Sequence, residues 1–139
     1  MGRRFEPADG VALTLEYGHA LSDIGDTLHA VGEHQFVSPL NTPGRVDLTA
    51  HGNFQALARA AESMRARVHG PIEQGEFLYR LGIEQRAGAL KAGAPHDQAV
   101  AIQSTLVRLT STERTGMGRM IKVLGLSAPK LELLPGFEP

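Results

Sequence analysis

The stretch DLTAHGNFQALARAAESMRARVHGPIEQGEFLYRLGIEQR, from Asp47 to Arg86, decides the fold because it holds two helical patterns with an extended segment between them. Asn53 has a side chain that favours the N-cap position of a helix. Apolar residues then follow at helical spacing, so the sequence predicts one amphipathic helix after Asn53. Its apolar stripe consists of Phe54, Leu57, Ala58, Ala61 and Met64.

The second half of this stretch predicts a strand and then further helices. Arg67 to Ile72 has the composition of a strand, and Gly70-Pro71 inside it favours an edge position or a strand end. A helix is predicted to start around Phe77, and a helical pattern continues beyond Gly82 until Gly93-Ala94-Pro95 ends it.

Strand patterns lie on both sides of this region, and the clearest is VALTLEY, from Val11 to Tyr17, in which apolar residues alternate with others. Shorter extended segments are predicted over 26–31, 34–40 and 46–48, a helix over 97–109 and a strand over 122–126, while LLPGFEP at the end is expected to be a tail. Because helices and strands alternate along the chain, the predicted fold class is α/β.

Composition excludes several classes of function. The 139 residues contain no cysteine, which excludes disulfides, thiolate zinc sites and a cysteine nucleophile and fits a reducing compartment. The net charge of −1 gives no bulk attraction to nucleic acid or to an anionic membrane. No apolar run approaches the roughly 20 residues of a membrane helix. None of the six histidines forms a helical H-x-x-x-H pair, so no metal site is expected.

Two polar clusters are candidates for a functional site. Glu16, Tyr17 and His19 lie where the first strand ends at Gly18, and α/β sheets bind ligands beyond the carboxyl ends of their strands. The alternative is a hydrogen-bond cluster that only finishes the strand. The second cluster, Asp47, Thr49 and His51, alternates along the chain before the capped helix. These side chains could equally satisfy loop backbone groups or lie near the N-cap.

An ordered set of segments resembles the C-terminal part of the MidA-like methyltransferases, the family of the mitochondrial complex I assembly methyltransferase. The resemblance runs from about Val11 to Phe137 and rests on EYGH, DTLHAV, HQFVSPL, PGRVDLTAHGNF, GPIEQGEFLYRLGIEQR, MGRMIKVLGL and PGF. It implies the C-terminal portion of a Rossmann-like class I fold, with an inserted helical region, from an enzyme that uses S-adenosylmethionine. The chain is then one partial domain, with late strands and loops over 11–52, a helical insertion over 53–110, and a final strand and tail over 111–139.

The resemblance also implies which family motifs are missing. The glycine-rich cofactor loop, the acidic residue for the ribose and the Asn-Glu motif of the family would lie before Val11, and ten residues precede it here. We therefore expect that the chain alone does not bind S-adenosylmethionine and is not a competent enzyme by itself. Glu16 stands where the family usually has Asp, and Asn53 where it usually has Asp.

In the methyltransferase interpretation, the substrate side of the pocket would be lined by Glu16, His19, Asp47, Thr49 and His51. An arginine substrate needs carboxylates that bind guanidinium, and Glu16 and Asp47 are the candidates. The expected partner is a protein, by resemblance a complex I subunit, with no nucleic acid or membrane partner. The alternative is a non-catalytic binding or assembly module that has lost the cofactor-binding half.

The resemblance has two further consequences for the chain. Its location would be cytoplasmic in a bacterium and the mitochondrial matrix in a eukaryote. If the strand at Val11 to Tyr17 is normally an interior one, its apolar edge is exposed here, so we expect self-association.

Overall fold

The computed structural model describes residues 10–21, 28–32, 35–40, 44–114 and 116–138. Seven strands and five helices form within them. In chain order they are β1 (Val11–His19), β2 (Leu28–Gly32), β3 (Gln35–Val37), β4 (Asp47–Ala50), β5 (Gly52–Asn53), α1 (Phe54–Ser63), β6 (Arg67–Glu73), α2 (Gln74–Arg80), α3 (Ile83–Ala92), α4 (His96–Thr110), α5 (Met117–Met120) and β7 (Ile121–Ser127). No helix in these ranges is long and apolar enough to cross a membrane.

The main sheet has four strands in the order β5-β1-β7-β6, and the last strand of the sequence lies inside it. β7 pairs antiparallel with β1, from Val11 opposite Ser127 to Tyr17 opposite Ile121, and antiparallel with β6 on its other side. Burial on both faces explains the apolar sequence of β7, in which Val123 and Leu124 are fully buried. This mixed sheet with its helices confirms the predicted α/β class.

β6 is the edge strand that Gly70-Pro71 predicts. Its pairing with β7 shifts between His69 and Ile72, which is where the proline removes a backbone donor. At the end of the strand, the Lys122 ammonium on β7 donates to the Glu73 carboxylate over 3.3 Å, and to the backbone oxygen of Arg119 over 2.6 Å.

A second, antiparallel sheet has three strands in the order β3-β2-β4. The predicted strands at 26–31, 34–40 and 46–48 correspond to β2, β3 and β4, each with shifted ends. Residues 26, 27 and 34 of those predictions lie outside the described part of the chain. In this sheet His29 lies opposite Thr49, and Ala30, which is opposite Leu48, is fully buried.

Helix α1 covers one face of the main sheet and begins as predicted. The Asn53 side chain caps it by accepting a hydrogen bond of 2.9 Å from the backbone N–H of Ala56. Phe54 and Ala61 of the predicted stripe are buried together with Leu124 of β7. Met64 was expected to belong to the stripe, but the helix ends at Ser63 and Met64 is 45% exposed.

The helices α2 to α5 follow β6 and precede β7 in the sequence. Their backbones pack closely against one another. Thr110, at the end of α4, lies very near two glycines. A Cβ on Gly75 would be 2.9 Å from the Thr110 backbone oxygen, and a Cβ on Gly118 would be 2.4 Å from the Thr110 carbonyl carbon. Gln74 adds a hydrogen bond of 2.9 Å from its side-chain nitrogen to the Leu109 backbone oxygen. The glycines therefore allow the helix ends to meet.

The C-terminal segment was expected to be a tail, but it packs against the other face of the sheet. Leu134 and Gly136 are buried. The Phe137 ring lies 5.2 Å from the Phe77 ring and 5.9 Å from the His69 ring. The proline and glycine of the segment shape a turn, and its apolar residues cover β6 and β7.

β1 carries an uncovered apolar face. Val11, Leu13 and Leu15 are 54%, 46% and 43% exposed and share one face, because alternate residues of a strand point to the same side. Along the edge opposite β7, the pairing found among the described residues is that of Gly18 and His19 with β5. The remaining edge and this face give β1 the character of an aggregation-prone strand.

We expect the isolated chain to self-associate through β1, because its unpaired edge offers backbone groups to a second chain and its aliphatic face offers an apolar surface. Light scattering over a concentration series should show the apparent mass rising above that of a monomer. Leu13→Lys, which places a charge on this face, should shift the chain toward the monomer. Val100→Lys, an equally exposed apolar position on α4, is the matched control and should change little. A monomer at every concentration would contradict the prediction.

A second prediction concerns His69 on β6, which is buried and joined to Ser127 Oγ by a hydrogen bond of 2.9 Å. Burial, with a smaller contribution from the positive charge of Arg67, lowers the pKa of His69 below its ordinary value of 6.5. The folded chain then binds fewer protons than the unfolded chain just below that value. The stability from a neutral His69 is fully present above about pH 6.5 and is lost as the pH falls toward the lower folded pKa.

Urea unfolding between pH 7.5 and 5 should therefore show the free energy of unfolding falling, by at most about 1.4 kcal/mol per pH unit for one such group. His69→Asn, which retains a hydrogen-bonding side chain without titrating, should make this slope shallower. His96→Asn, at an exposed position on α4, should leave the slope unchanged. An unchanged slope in His69→Asn would show that other groups set the acid sensitivity.

Candidate functional site

The carboxyl end of β1 meets β5 because Gly18 has no side chain. Gly18 lies opposite Gly52 and His19 opposite Asn53 in a short parallel pairing. A Cβ on Gly18 would be 2.3 Å from the Gly52 backbone oxygen and 2.7 Å from the Phe54 ring. Glycine is therefore required for the close approach that places the residue before Gly52 next to the end of β1.

That residue is His51, and it forms a pair with His19. The Nδ1 atom of His51 and the Nε2 atom of His19 are joined by a hydrogen bond of 3.0 Å. The ring centroids are 4.9 Å apart with the planes at 62°. The structure thus brings together one histidine from each of the two polar clusters that the sequence singles out.

A third histidine, His29, joins the pair from the second sheet. Its ring lies 5.3 Å from that of His51, with the planes at 55°. Sequence reasoning did not select His29 as a site residue, because it lies inside a short apolar strand with no neighbouring polar motif. His29 could have been selected because it lies in DTLHAV, one of the segments that carry the family resemblance. We call His19, His29 and His51 the histidine cluster.

His51 is the member of the histidine cluster that is less basic than an isolated imidazole. Burial lowers the pKa of His51, and the nearby His19 and His29 lower it further, because a second positive charge there would be repelled. His51 is half-buried while His19 is exposed, so the inner imidazole stays neutral at pH 7 and the outer one faces solvent.

Glu16 lies next to this cluster. Its Cγ atom would be 3.7 Å from a Cβ on Gly52, the residue after His51, and its carboxylate accepts a hydrogen bond of 3.2 Å from the Tyr17 backbone N–H. The carboxylate is exposed and has further acceptor capacity. Glu16 therefore places a negative charge at the carboxyl end of β1.

Asp47 and Thr49 lie on β4, on the same face of that strand. Thr49 is half-buried opposite His29, so it lies beside the histidine cluster. Asp47 is exposed at the far end of β4, opposite Val31. His51 follows Asp47 after four residue steps of extended chain, which corresponds to about 13 Å. The structure groups Glu16, His19, Thr49 and His51, and it places Asp47 at the margin of the group.

The described residues do not fit a nucleotide-type cofactor. Such a site needs free backbone N–H groups at a helix N-terminus after a strand. The α1 N-terminus is already capped by Asn53, and α2 follows β6 with Glu73 at its N-cap and Glu76 in its first turn, which disfavours an anion. Within the same ranges, no group of histidine and acidic residues could hold a metal ion.

A cleft of about 290 Å³ lies between α3 and α4, away from these side chains. Its walls are mainly aliphatic, from residues such as Ile83, Ala87 and Leu106. Arg86 is the titratable side chain among the lining residues, so the cleft offers few groups for catalysis. We therefore assign the candidate site to the carboxyl end of β1.

Comparisons with known proteins identify the class of protein to which this geometry belongs. The structure superposes on a crystal structure of a Burkholderia thailandensis protein of uncharacterised function with a TM-score of 0.78 and 26% identity, covering 94% of this chain and 36% of that one. A second Burkholderia thailandensis structure, of a protein described as a "likely methyl transferase" and bound to S-adenosyl-homocysteine, gives a TM-score of 0.76 and 25% identity, covering 92% of this chain and 34% of that one. The fold is the partial Rossmann-like α/β fold of class I methyltransferases.

Sequence comparison then specifies the family. Residues 1–72 match the family model described as "Putative S-adenosyl-L-methionine-dependent methyltransferase". The "Protein arginine methyltransferase NDUFAF7 homolog, mitochondrial" of Drosophila melanogaster is 37% identical over 128 residues, which are 91% of this chain and 28% of that protein. The Rattus norvegicus NDUFAF7 protein is 38% identical over 110 residues, which are 78% and 24%. The chain belongs to the MidA-like family of S-adenosyl-L-methionine-dependent methyltransferases, as the sequence resemblance predicts, and it spans about a quarter of the length of these relatives.

The contact at Gly18 gives a test of how the site is assembled. Gly18→Ala should destabilise the chain by about 1–3 kcal/mol, the usual range for overpacking, because the new methyl group overlaps the Gly52 backbone and the Phe54 ring. Urea unfolding measures this, and NMR spectra should show altered chemical shifts of the His19 and His51 rings, because their contact depends on this approach. Gly88→Ala is the control, since nothing lies within 4 Å of its Cβ position in α3. That substitution should stabilise by roughly 0.5–1 kcal/mol. Equal effects of the two substitutions would contradict the close approach.

Proposed function

We propose that this chain forms the substrate side of an S-adenosylmethionine-dependent methyltransferase that acts on arginine in a protein substrate. The observation that carries the proposal is the group of polar side chains at the carboxyl end of β1, in a fold that superposes on class I methyltransferases. The names of the relatives, protein arginine methyltransferases, support arginine as the acceptor. A role in complex I assembly follows from the family resemblance and belongs to the same proposal.

In this function, Glu16 binds the guanidinium group at the strand end, since a carboxylate accepts two parallel hydrogen bonds from it. Asp47 holds the same substrate further out along β4, where its carboxylate is exposed. His19, Thr49 and His51 form the wall between these carboxylates. Methyl transfer depends mainly on holding the acceptor nitrogen in line and excluding water, and these are tasks that fixed side chains perform.

The described residues supply the acceptor side, and the donor S-adenosylmethionine requires protein groups beyond them. The proposal therefore places the methyl donor on the part of the relatives that this chain does not match. The chain would act in the mitochondrial matrix if its source is a eukaryote, since the named relatives are mitochondrial, and in the cytoplasm if its source is a bacterium.

The second candidate is a non-catalytic binding or assembly module of the same family. It is favoured by the capped N-terminus of α1 and the acidic N-terminus of α2, which make a poor anion site at the start of the two described helices that follow a strand. Calorimetric titration of the 139-residue chain with S-adenosylmethionine can exclude one of the two functions. Tight binding would overturn the module.

A chimera tests the catalytic function directly. This chain would replace the matching segment of the Drosophila relative, and transfer of labelled methyl groups to arginine would be measured. The chimera should be active, and Glu16→Gln should lower the rate by about 10- to 1000-fold, as expected for losing a charged hydrogen bond worth roughly 1.5–3 kcal/mol or more together with positioning. Asp47→Asn should have a smaller effect because Asp47 lies at the margin of the site.

Glu84→Gln on α3 is the matched control, an exposed carboxylate remote from β1. The chimera carrying it should keep the full rate. An inactive but folded chimera would contradict the catalytic function, and an unchanged rate in Glu16→Gln would remove Glu16 from the site.

A further inference from the structure

The histidine cluster has a hydrogen-bonding asymmetry that matters for a cationic ligand. A neutral imidazole has one N–H donor and one acceptor nitrogen. The hydrogen bond between His19 and His51 uses a donor from one ring and an acceptor from the other. One acceptor nitrogen of the pair therefore remains free while both rings are neutral.

Protonation of the pair changes both properties at once. With one added proton, the pair no longer has a free acceptor nitrogen, and it gains a positive charge. His29 lies 5.3 Å from His51, so its own protonation adds a second repulsive charge nearby. A cation is accepted by the neutral cluster and rejected by the charged one.

The surroundings of the cluster reinforce this preference. On β1 the charged group beside it is Glu16, whose side chain lies against Gly52. β2 contributes His29 and β4 contributes Thr49, with Asp47 further along that strand. The first turn of α1 carries no acidic residue. Among the described residues, Glu16 is therefore the carboxylate beside the cluster, and Asp47 is the one further along β4.

The ring geometry favours a planar cation. The His19 and His29 planes are inclined to that of His51 by 62° and 55°, so the rings form the walls of a corner rather than a stack. A guanidinium group is flat, is weakly hydrated and carries five N–H donors, so it can lie on one ring and donate to another. A lysine ammonium is a compact, strongly hydrated charge and gains less from such walls.

We propose that His19, His29 and His51 form a subsite that recognises the guanidinium group of arginine only while the imidazoles are uncharged. This rests on the proposed function, since it takes arginine as the substrate from there. The subsite selects arginine over lysine and releases it on acidification. The pKa of His51 is lowered by its burial and by its two histidine neighbours. His51 is therefore uncharged at neutral pH, the state in which the subsite binds.

The test measures binding of a short arginine-containing peptide to the 139-residue chain by calorimetry at pH 7.5 and 5.5. We expect weaker binding at pH 5.5 than at pH 7.5, by at most about tenfold for each pH unit per titrating imidazole, and by less for His51 because its pKa is lowered. The same peptide with lysine in place of arginine should bind more weakly at pH 7.5. His51→Asn should lose most of the pH dependence, and His96→Asn should retain it.

A second measurement needs no variant. Linkage requires that a ligand which prefers the neutral cluster lowers the pKa values of its imidazoles, so histidine NMR titrations with and without the arginine peptide should differ. Absence of arginine-peptide binding at both pH values would overturn the proposal. So would equal binding of the lysine peptide, or full pH dependence in a folded His51→Asn chain.

Peptide binding uses no methyl donor, so its outcome is independent of the chimera assay. If the chimera transfers methyl groups but the chain does not bind the arginine peptide, the subsite is wrong and the proposed function stands. If the peptide binds with the expected pH dependence but a folded chimera is inactive, the subsite stands and the proposed function is wrong.

Discussion

The antiparallel pairing of β7 with β1 is the constraint on which the rest of the structure depends. It joins seven residue pairs, from Val11 with Ser127 to Tyr17 with Ile121, and it provides the surface on which both faces of the sheet are built. On one face α1 buries Phe54 against Leu124 and Leu126. On the other face the C-terminal segment places Leu134 and Phe137 near Gly125. Without β7 neither layer has a partner, because β1 and β6 would be two separate strands.

The same pairing fixes the position of the candidate site. Since β1 is held along its length by β7, its carboxyl end has a defined location, and β5 can approach it at Gly18. Asn53 then begins α1 directly after this contact. His51 is therefore held between a strand end and a capped helix, and its distance from His19 follows from the backbone rather than from the choice of a rotamer alone. The site depends on two glycines and a helix cap that carry no chemistry themselves.

Local sequence patterns predicted much of the fold, because its elements have clear periodicity or end signals. Asn53 as N-cap, the strand VALTLEY and the edge position of Gly70-Pro71 are each set by local chemistry, and the structure confirms them. Local patterns could not show that Phe137 packs on Phe77 and His69, since that contact joins residues about 60 positions apart in the sequence. The histidine cluster likewise joins residues that are far apart in the sequence. His19 and His51 were singled out by their places at strand and helix ends, but only tertiary structure brings His29 to them.

The order of the elements along the chain has a consequence for biosynthesis. β1 is the first described strand and its main partner β7 is among the last, so more than 100 residues must leave the ribosome before the two can pair. During that interval the backbone edge of β1 that pairs with β7 has no partner, and among the described residues its other edge pairs only at Gly18 and His19. Pairings of such long sequence separation form slowly, since a large loop must close before any contact stabilises it. The newly made chain therefore has a period in which its first described strand lacks its main partner and is available to a chaperone or to another nascent chain.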